Sequence, residues 1–258
     1  HVRIYKLISG SWVQQGQDID GEAAEDESGF TVAISNNGIV VAIGAPGNND
    51  NGSYSGHVRV YSFFGGNWIQ LGQDIDGEAT EDVSGFSLSI NANGTTVAIG
   101  ARGNDGNGSY AGHTRVYTIV NNTWLQQGQD IDGEAAFDYS GIAVSLSDDG
   151  QTVAIGSSGY SVNGVTGVYA GFVKVFKLIG GVWTLQGQKI VGDANEDYLG
   201  ASVSMSADGL AVAIGASGGG YIKVYQLIGG IWVQQGQNII GSGTRESISL
   251  NADAQTIA

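Results

Sequence analysis

One short segment recurs along this chain. HVRIY at His1 returns as HVRVY at His57 and HTRVY at His113, then in altered form as FVKVF at Phe172 and YIKVY at Tyr221. A tryptophan follows each copy in step, at Trp12, Trp68, Trp124, Trp183 and Trp232. A repeat of this length means one supersecondary unit copied in tandem. No single copy buries its apolar face alone, so the copies must stack. The units span residues 1–56, 57–112, 113–171, 172–220 and 221–258, and 1–258 reads as a single domain. The last unit stops at QTIA, where the earlier ones continue as TVAIGAR or TVAIGSS.

Each unit holds four strand-like runs. In the second unit they are HVRVYSF, NWIQLGQDI, GFSLSIN and TTVAIGA. RVYSF and SLSIN alternate apolar with polar, the pattern of half-buried strands. VAIGA is almost wholly apolar, as in a strand buried on both faces. No helical period persists. Four strands per unit, repeated in a ring, predict an all-β fold: a β-propeller of four-stranded antiparallel blades. A β-solenoid is the alternative, but its coils are usually shorter.

Composition fits this reading. There are 44 glycines and one proline, Pro46, which suits many tight turns rather than a linker. The formal charge of −15, with only 10 Lys and Arg, argues against nucleic acid and anionic membranes as partners. The absence of cysteine removes disulfides, thiolate metal sites and thiol catalysis. No apolar run approaches a membrane span. The start, HVRIYKL, is not a signal peptide and reads like the middle of a repeat, so the chain is expected to be a processed or excised part of something longer.

At GF…VAIGAP…GHVRVY the chain resembles the FG-GAP repeats of integrin-α-type propellers. The FG element stands at Gly29-Phe30 and Gly85-Phe86 and weakens to Gly141-Ile142 and Gly200-Ala201. The GAP element is complete at Gly44-Ala45-Pro46 and becomes GAR, GSS and GAS at Gly100, Gly156 and Gly215. The resemblance implies calcium-supported, non-catalytic binding blades. It also implies a radial order: FG strand innermost, then the GAP strand, the HVRVY strand and the tryptophan strand. The chain would then begin on a third strand and end on a second. ESISL and QTIA could join HVRIY and WVQQGQ in a shared closing blade, giving five blades without an exposed edge. The family's calcium loop lies between the FG and GAP strands. Here that connection is a tight turn, at Asn36, Asn91, Ser147 and Ser206, too poor in oxygen ligands for such a site.

In that order every long loop falls on one face. One set is GNNDNGSYSG from Gly47 and GNDGNGSYAG from Gly103; the other comprises the loops that open with GQDIDGEA at Gly16, Gly72 and Gly128. Binding usually sits on such loops, which marks Asp50, Tyr54, Asp105, Tyr110 and Tyr169 as a binding face. The acids Asp18, Asp20, Glu22, Asp74, Asp76, Glu78, Asp130, Asp132 and Glu134 are candidate Ca²⁺ ligands, because closely spaced carboxylates suit a hard cation. Equally, they could accept hydrogen bonds from loop amides and solvate the rim. NDGNG at Asn104 is a second candidate calcium loop and reads better as an Asx-rich turn. His1, His57 and His113 share a repeat position with Phe172 and Tyr221, which favours packing over metal ligation. The tryptophans fit an inter-blade core better than a sugar-stacking platform. Asn51, Asn93, Asn107 and Asn121 head N-x-S/T sequons in turns, fitting a secreted glycoprotein.

These features predict a non-enzymatic extracellular or cell-surface module for adhesion or surface assembly. Its partner would be a protein or glycan, or further copies of itself, engaged through the acidic long-loop face. A multivalent lectin is the alternative, and a glycan-cleaving hydrolase a minor one, since paired carboxylates are available but near-identical loops offer no singular site.

Overall fold

A computed structural model describes residues 1–159, 161–162, 165–166, 169–241 and 247–258. Among these residues the chain is all strand and turn. A hairpin of β1 (Tyr5–Ile8) and β2 (Ser11–Gln14) comes first. Blade 1 is β3 (Thr31–Ile34), β4 (Val40–Ala45), β5 (His57–Phe64), β6 (Asn67–Gln70) and the short β7 (Ile75–Asp76). Blade 2 is β8 (Ser87–Ile90), β9 (Thr96–Ala101), β10 (His113–Val120), β11 (Thr123–Gln126) and β12 (Ile131–Asp132). Blade 3 is β13 (Ser140–Leu146), β14 (Thr152–Ser157), β17 (Phe172–Ile179), β18 (Val182–Leu185) and β19 (Ile190–Val191), with a two-residue pair, β15 (Ser161–Val162) and β16 (Val165–Thr166), in its long loop. Blade 4 is β20 (Leu199–Met205), β21 (Ala211–Ala216), β22 (Tyr221–Ile228) and β23 (Ile231–Ile240). Every blade is an antiparallel meander in chain order.

The apolar GAP strands β4, β9, β14 and β21 are buried along their whole length, as their composition requires. Neighbouring blades stack through contiguous apolar clusters. Val40, Val58 and Ile75 of blade 1 meet Val97, Ile99 and Trp124 of blade 2. Equivalent clusters join blade 2 to 3 and blade 3 to 4. The FG and GAP glycines also gain a physical reason. A Cβ on Gly44 would stand 2.3 Å from the Gly85 carbonyl oxygen of the next blade. The two inner strands approach too closely for any side chain there.

The tryptophan strand does not run straight into its crossover. In blades 1 to 3 it breaks after β6, β11 and β18, then resumes as β7, β12 and β19 on the same partner strand. In blade 4, β23 runs through, with a register shift opposite Ile222–Val224. GQDI is therefore the outer half of the outermost strand, bent by a bulge. The bulge receives the next blade's tryptophan. Trp68, Trp124, Trp183 and Trp232 donate Nε1–H to the carbonyls of Gln15, Leu71, Gln127 and Gln186. Trp68 is 3% exposed, whereas Trp12, against which no Gly-Gln pair packs among the described residues, is 70% exposed.

On the face opposite the long loops, the short turns link blade to blade. Asn36 N–H donates to Ala92 O (3.0 Å), Ala92 to Asp148 (3.2 Å), Asp148 to Ala207 (2.9 Å) and Ala207 to Ala252 (3.0 Å). These are the tight turns expected between the FG and GAP strands. At the chain ends, Ile4 and Ile19 pack on blade 1, while Leu250 packs on blade 4. Leu250 and Ile257 form a bridge, so 247–258 holds an inner-strand hairpin and 1–14 an outer-strand one. The ingredients of a shared closing blade are both present, but no ladder joins them among the described residues. Glu246, the first residue of ESISL, lies outside those residues.

Candidate functional site

The acidic loops resolve into three kinds of carboxylate. The first caps the loop. Asp26, Asp82, Asp138 and Asp197 are buried. Asp82 Oδ2 accepts from the Glu78 and Ala79 amides, and Asp138 Oδ2 from those of Glu134 and Ala135. Asn104 Nδ2 donates to Asp82 Oδ1 at 3.2 Å, tying the two long loops of one face together. Residues on either side of each cap hold positive φ, including Val83 at 57° and Tyr139 at 52°. β-Branched and bulky residues rarely adopt that conformation, so the cap holds a strained turn in place. Burial pushes the Asp138 carboxyl up, offset in part by those amides and aided by the charge of Glu134.

The second kind lies on the outer strand. Asp18 accepts two hydrogen bonds from Arg3, at 2.9 and 2.7 Å, and one from Gln14; these bonds hold its carboxyl below the usual range. Asp74 and Asp130 accept from Gln70 and Gln126. Burial pushes Asp76 and Asp132 up, helped by the neighbouring Asp74 and Asp130. Asp20 and Asp76 contribute main-chain carbonyls, to Arg59 and Arg115 respectively.

The third kind faces the next blade. Glu22 Oε1 lies 3.3 Å from the Arg59 guanidinium and Oε2 lies 3.8 Å from His57 Nδ1. Glu78 repeats this with Arg115 (3.2 Å) and His113 (3.9 Å), and Asp130 approaches the same His113 nitrogen at 4.0 Å. In the next copy Lys174 and Lys189 hold Glu134, at 3.4 and 2.7 Å, and their charges outweigh burial to keep its carboxyl low. Lys223 pairs with Asp193 in the fourth. Among the described residues, no loop brings its own three candidate calcium ligands together as a group within metal-ligand reach. The groups brought within metal-ligand reach of one another cross between loops and include histidine: Glu22, Asp50 and His57; His57, Asp74 and Asp76; Glu78, His113 and Asp130. Burial, then the Arg115 charge, lowers the His113 pKa to about 4, so its ring is neutral at pH 7.

Of the expected binding-face residues, Asp50 and Asp105 shape their own loops, accepting from Asn48 Nδ2 and from the Tyr110 amide. Tyr169 rests on Tyr198, ring centroids 5.4 Å apart. Tyr54 and Tyr110 are exposed and line the mouth of a central cavity of about 1150 Å³. Its wall is made by the FG strands, including Val32, Leu88, Val144 and Val203, which confirms them as innermost. Glu27, Glu81 and Tyr198 stand at the same opening. The Arg102 guanidinium lies 4.0 Å from the Phe86 ring centroid, a cation–π contact, and Phe86 meets Phe30 at 5.1 Å.

Sequence reasoning missed this cavity, because each blade supplies only one strip of it. A signal was present, however. Several lining positions vary from repeat to repeat: Glu27, Val83, Tyr198; Phe30, Phe86, Ile142, Ala201; Pro46, Arg102, Ser158, Ser217. A repeated scaffold therefore encloses one asymmetric wall. The equivalence of the loops, which argued against a singular site, does not extend to the cavity.

Two of the sequon amides are engaged. Asn51 Nδ2 donates to the Gly77 and Glu78 carbonyls, and Asn107 Nδ2 to those of Gly133 and Glu134. Asn93 and Asn121 are exposed in turns, with Asn93 Oδ1 accepting from Thr95.

The profile of the FG-GAP repeat family matches residues 18–61, which span the first acidic loop through β5. No curated protein matches the chain. Among solved structures, the periplasmic gluconolactonase of Pseudomonas aeruginosa is similar at 13% identity and a TM-score of 0.62, over 99% of this chain and 70% of that one. Hydrazine synthase of Kuenenia stuttgartiensis is similar at 12% and 0.57, over 88% and 66%, and a functionally unknown protein from Desulfotomaculum acetoxidans at 13% and 0.59, over 88% and 60%. The chain thus spans less than two thirds of the length of these last two. Such identities show the fold alone: a β-propeller, carrying an FG-GAP repeat.

Proposed function

Taking an FG-GAP repeat on a β-propeller scaffold as the premise, we propose that this chain is a non-enzymatic extracellular binding module for adhesion or surface assembly. It engages its partner across the long-loop face, centred on the cavity mouth. The observation that carries this reading is the mouth itself. Exposed Tyr54 and Tyr110 stand beside Glu27 and Glu81 on loops pinned by buried aspartates. Tyrosines held rigidly at an opening give contact area at small entropic cost.

The test is binding to cell-surface protein and glycan panels, with a Tyr54→Ala, Tyr110→Ala double variant as control. The double variant should lose at least tenfold in affinity while keeping its melting temperature. Equal binding by the two proteins would exclude the mouth. A carbohydrate ligand is the second reading, favoured by the Tyr110 hydroxyl 3.4 Å from Glu81 Oε2, an aromatic–acid pair of the kind that grips a sugar. Saturable binding of one glycan class on an array selects it. A gluconolactonase shares the fold, so turnover of a sugar lactone is the result that would overturn the non-enzymatic reading.

A further inference from the structure

We propose that His57, Glu22 and Asp50 form a binding site for a divalent transition-metal ion of the Zn²⁺ class, with His113, Glu78 and Asp130 as a second copy. The site lies between the first acidic loop and blade 1, outside the central cavity.

Three observations converge on it. The ligand atoms of Glu22, Asp50 and His57 lie within 4.8 Å of one another, and so do those of Glu78, His113 and Asp130. Zn–N and Zn–O bonds of about 2.0–2.2 Å place ligand atoms roughly 3.3 Å apart. Glu22, with 41% of its side chain exposed, can close that gap by a rotamer change. Next, His57 is 1% exposed, and its Nδ1, the nitrogen facing Glu22, is buried with no hydrogen-bond partner. A buried imidazole nitrogen left unpaired is unfavourable, and a metal ion would satisfy it.

The third observation is internal to the repeat. Where His57 and His113 stand, the outer strand beside them carries Asp74 and Asp76, or Asp130 and Asp132. Where Phe172 replaces histidine, those two positions become Lys189 and Val191; where Tyr221 does, they become Asn238 and Ile240. In the Phe172 copy the protein supplies an extra cation itself, since Lys189 joins Lys174 on Glu134. In the Tyr221 copy the acids are fewer, and Tyr221 itself donates to Asp197. Around His57 four carboxylates, Glu22, Asp50, Asp74 and Asp76, face one guanidinium, Arg59. The histidine copies are thus the ones left with excess negative charge beside an imidazole nitrogen. Imidazole with carboxylates selects Zn²⁺ and its neighbours over Ca²⁺, which wants six to eight oxygens. The second site has Gly106 where the first has Asp50, and its unpartnered buried nitrogen is His113 Nε2 rather than the Nδ1 that faces Glu78 and Asp130, so it should bind more weakly.

The test uses untagged protein in a His1→Ala background, because His1 and its α-amino group could chelate metal independently. After EDTA stripping and dialysis, ZnCl₂, MnCl₂ and CaCl₂ are titrated calorimetrically. Saturable Zn²⁺ binding is expected, with His57→Phe weakening the tighter site at least tenfold and X-ray absorption showing an imidazole shell. Phe172 occupies the equivalent position in blade 3, so this variant should fold. Glu22→Gln and Asp50→Asn, at exposed positions, should each weaken Zn²⁺ binding and carry the test if it does not. No Zn²⁺ binding at millimolar metal, binding indifferent to these three variants, or Ca²⁺ binding as tight as Zn²⁺ would each overturn the site. The ligands are not those of the cavity mouth, so Tyr54→Ala, Tyr110→Ala should leave Zn²⁺ binding unchanged whatever its effect on partner binding.

Discussion

Gln73 and Trp124, on adjacent blades, exchange two hydrogen bonds: Gln73 Nε2 donates to Trp124 O at 2.8 Å, and Trp124 N–H donates to Gln73 Oε1 at 3.0 Å. The carboxamide acts as a strand partner reaching across the blade boundary. Gln17, Gln129 and Gln188 form the same clasp with Trp68, Trp183 and Trp232. The first two letters of GQDIDGEA are thus a fastener between blades.

Gln73→Ala should therefore lower stability by about 1–3 kcal/mol, because it leaves a half-buried backbone pair unsatisfied. Trp124→Ala should cost more, about 3–5 kcal/mol. Gly72→Ala should also destabilise: its φ is +78° and a Cβ would meet Trp124 Cδ1 at 2.7 Å. Denaturant unfolding of the three variants checks the ranking.

Asp82→Ala removes the acceptor of two loop amides and of Asn104. A loss of about 2 kcal/mol is expected. Hydrogen exchange should show faster opening at the Glu78 and Ala79 amides and in the Gly103–Gly112 loop, while the strands of blade 3 keep their protection.

His113 makes stability depend on pH. Its folded pKa of about 4 lies below the ordinary 6.5, so the unfolded chain takes up the proton first. Its contribution is full above pH 6.5 and is lost as pH falls toward 4, on the order of 3 kcal/mol. Asp76, Asp132 and Asp138, whose pKa values are raised, act in the opposite sense and add stability as pH falls through their folded range. The difference between wild type and His113→Phe, measured in EDTA from pH 7.5 to 4, isolates the histidine. A flat difference curve would contradict its burial in neutral form.

Secreted from a eukaryotic host, the chain should be glycosylated at Asn93 or Asn121 in preference to Asn51 and Asn107, whose side-chain amides already hold two carbonyls of the neighbouring loop. Peptide mapping by mass spectrometry after glycosidase treatment reads the occupancy. Equal occupancy at Asn51 and Asn121 would show that the loop pair forms only after modification.

The sequence by itself determined the strands and the short turns, which arise from local patterns: alternation in SLSIN, the unbroken apolar run in TVAIGA, and Asn-Gly or Asp-Gly at the turns. The resemblance to FG-GAP repeats implied the radial order of the strands and, through it, the face that carries the long loops. Only the tertiary structure decided which residues meet. Glu22 leaves Asp18 and Asp20 to face His57 and Arg59 of blade 1, while Asp18 turns to Arg3. Tyr54, Glu81 and Arg102 reach one cavity from two different units. Periodicity records what each unit does alone. It carries no information about the angle and separation at which neighbouring blades stack, and that stacking brings side chains from different repeats within hydrogen-bond or ligand distance.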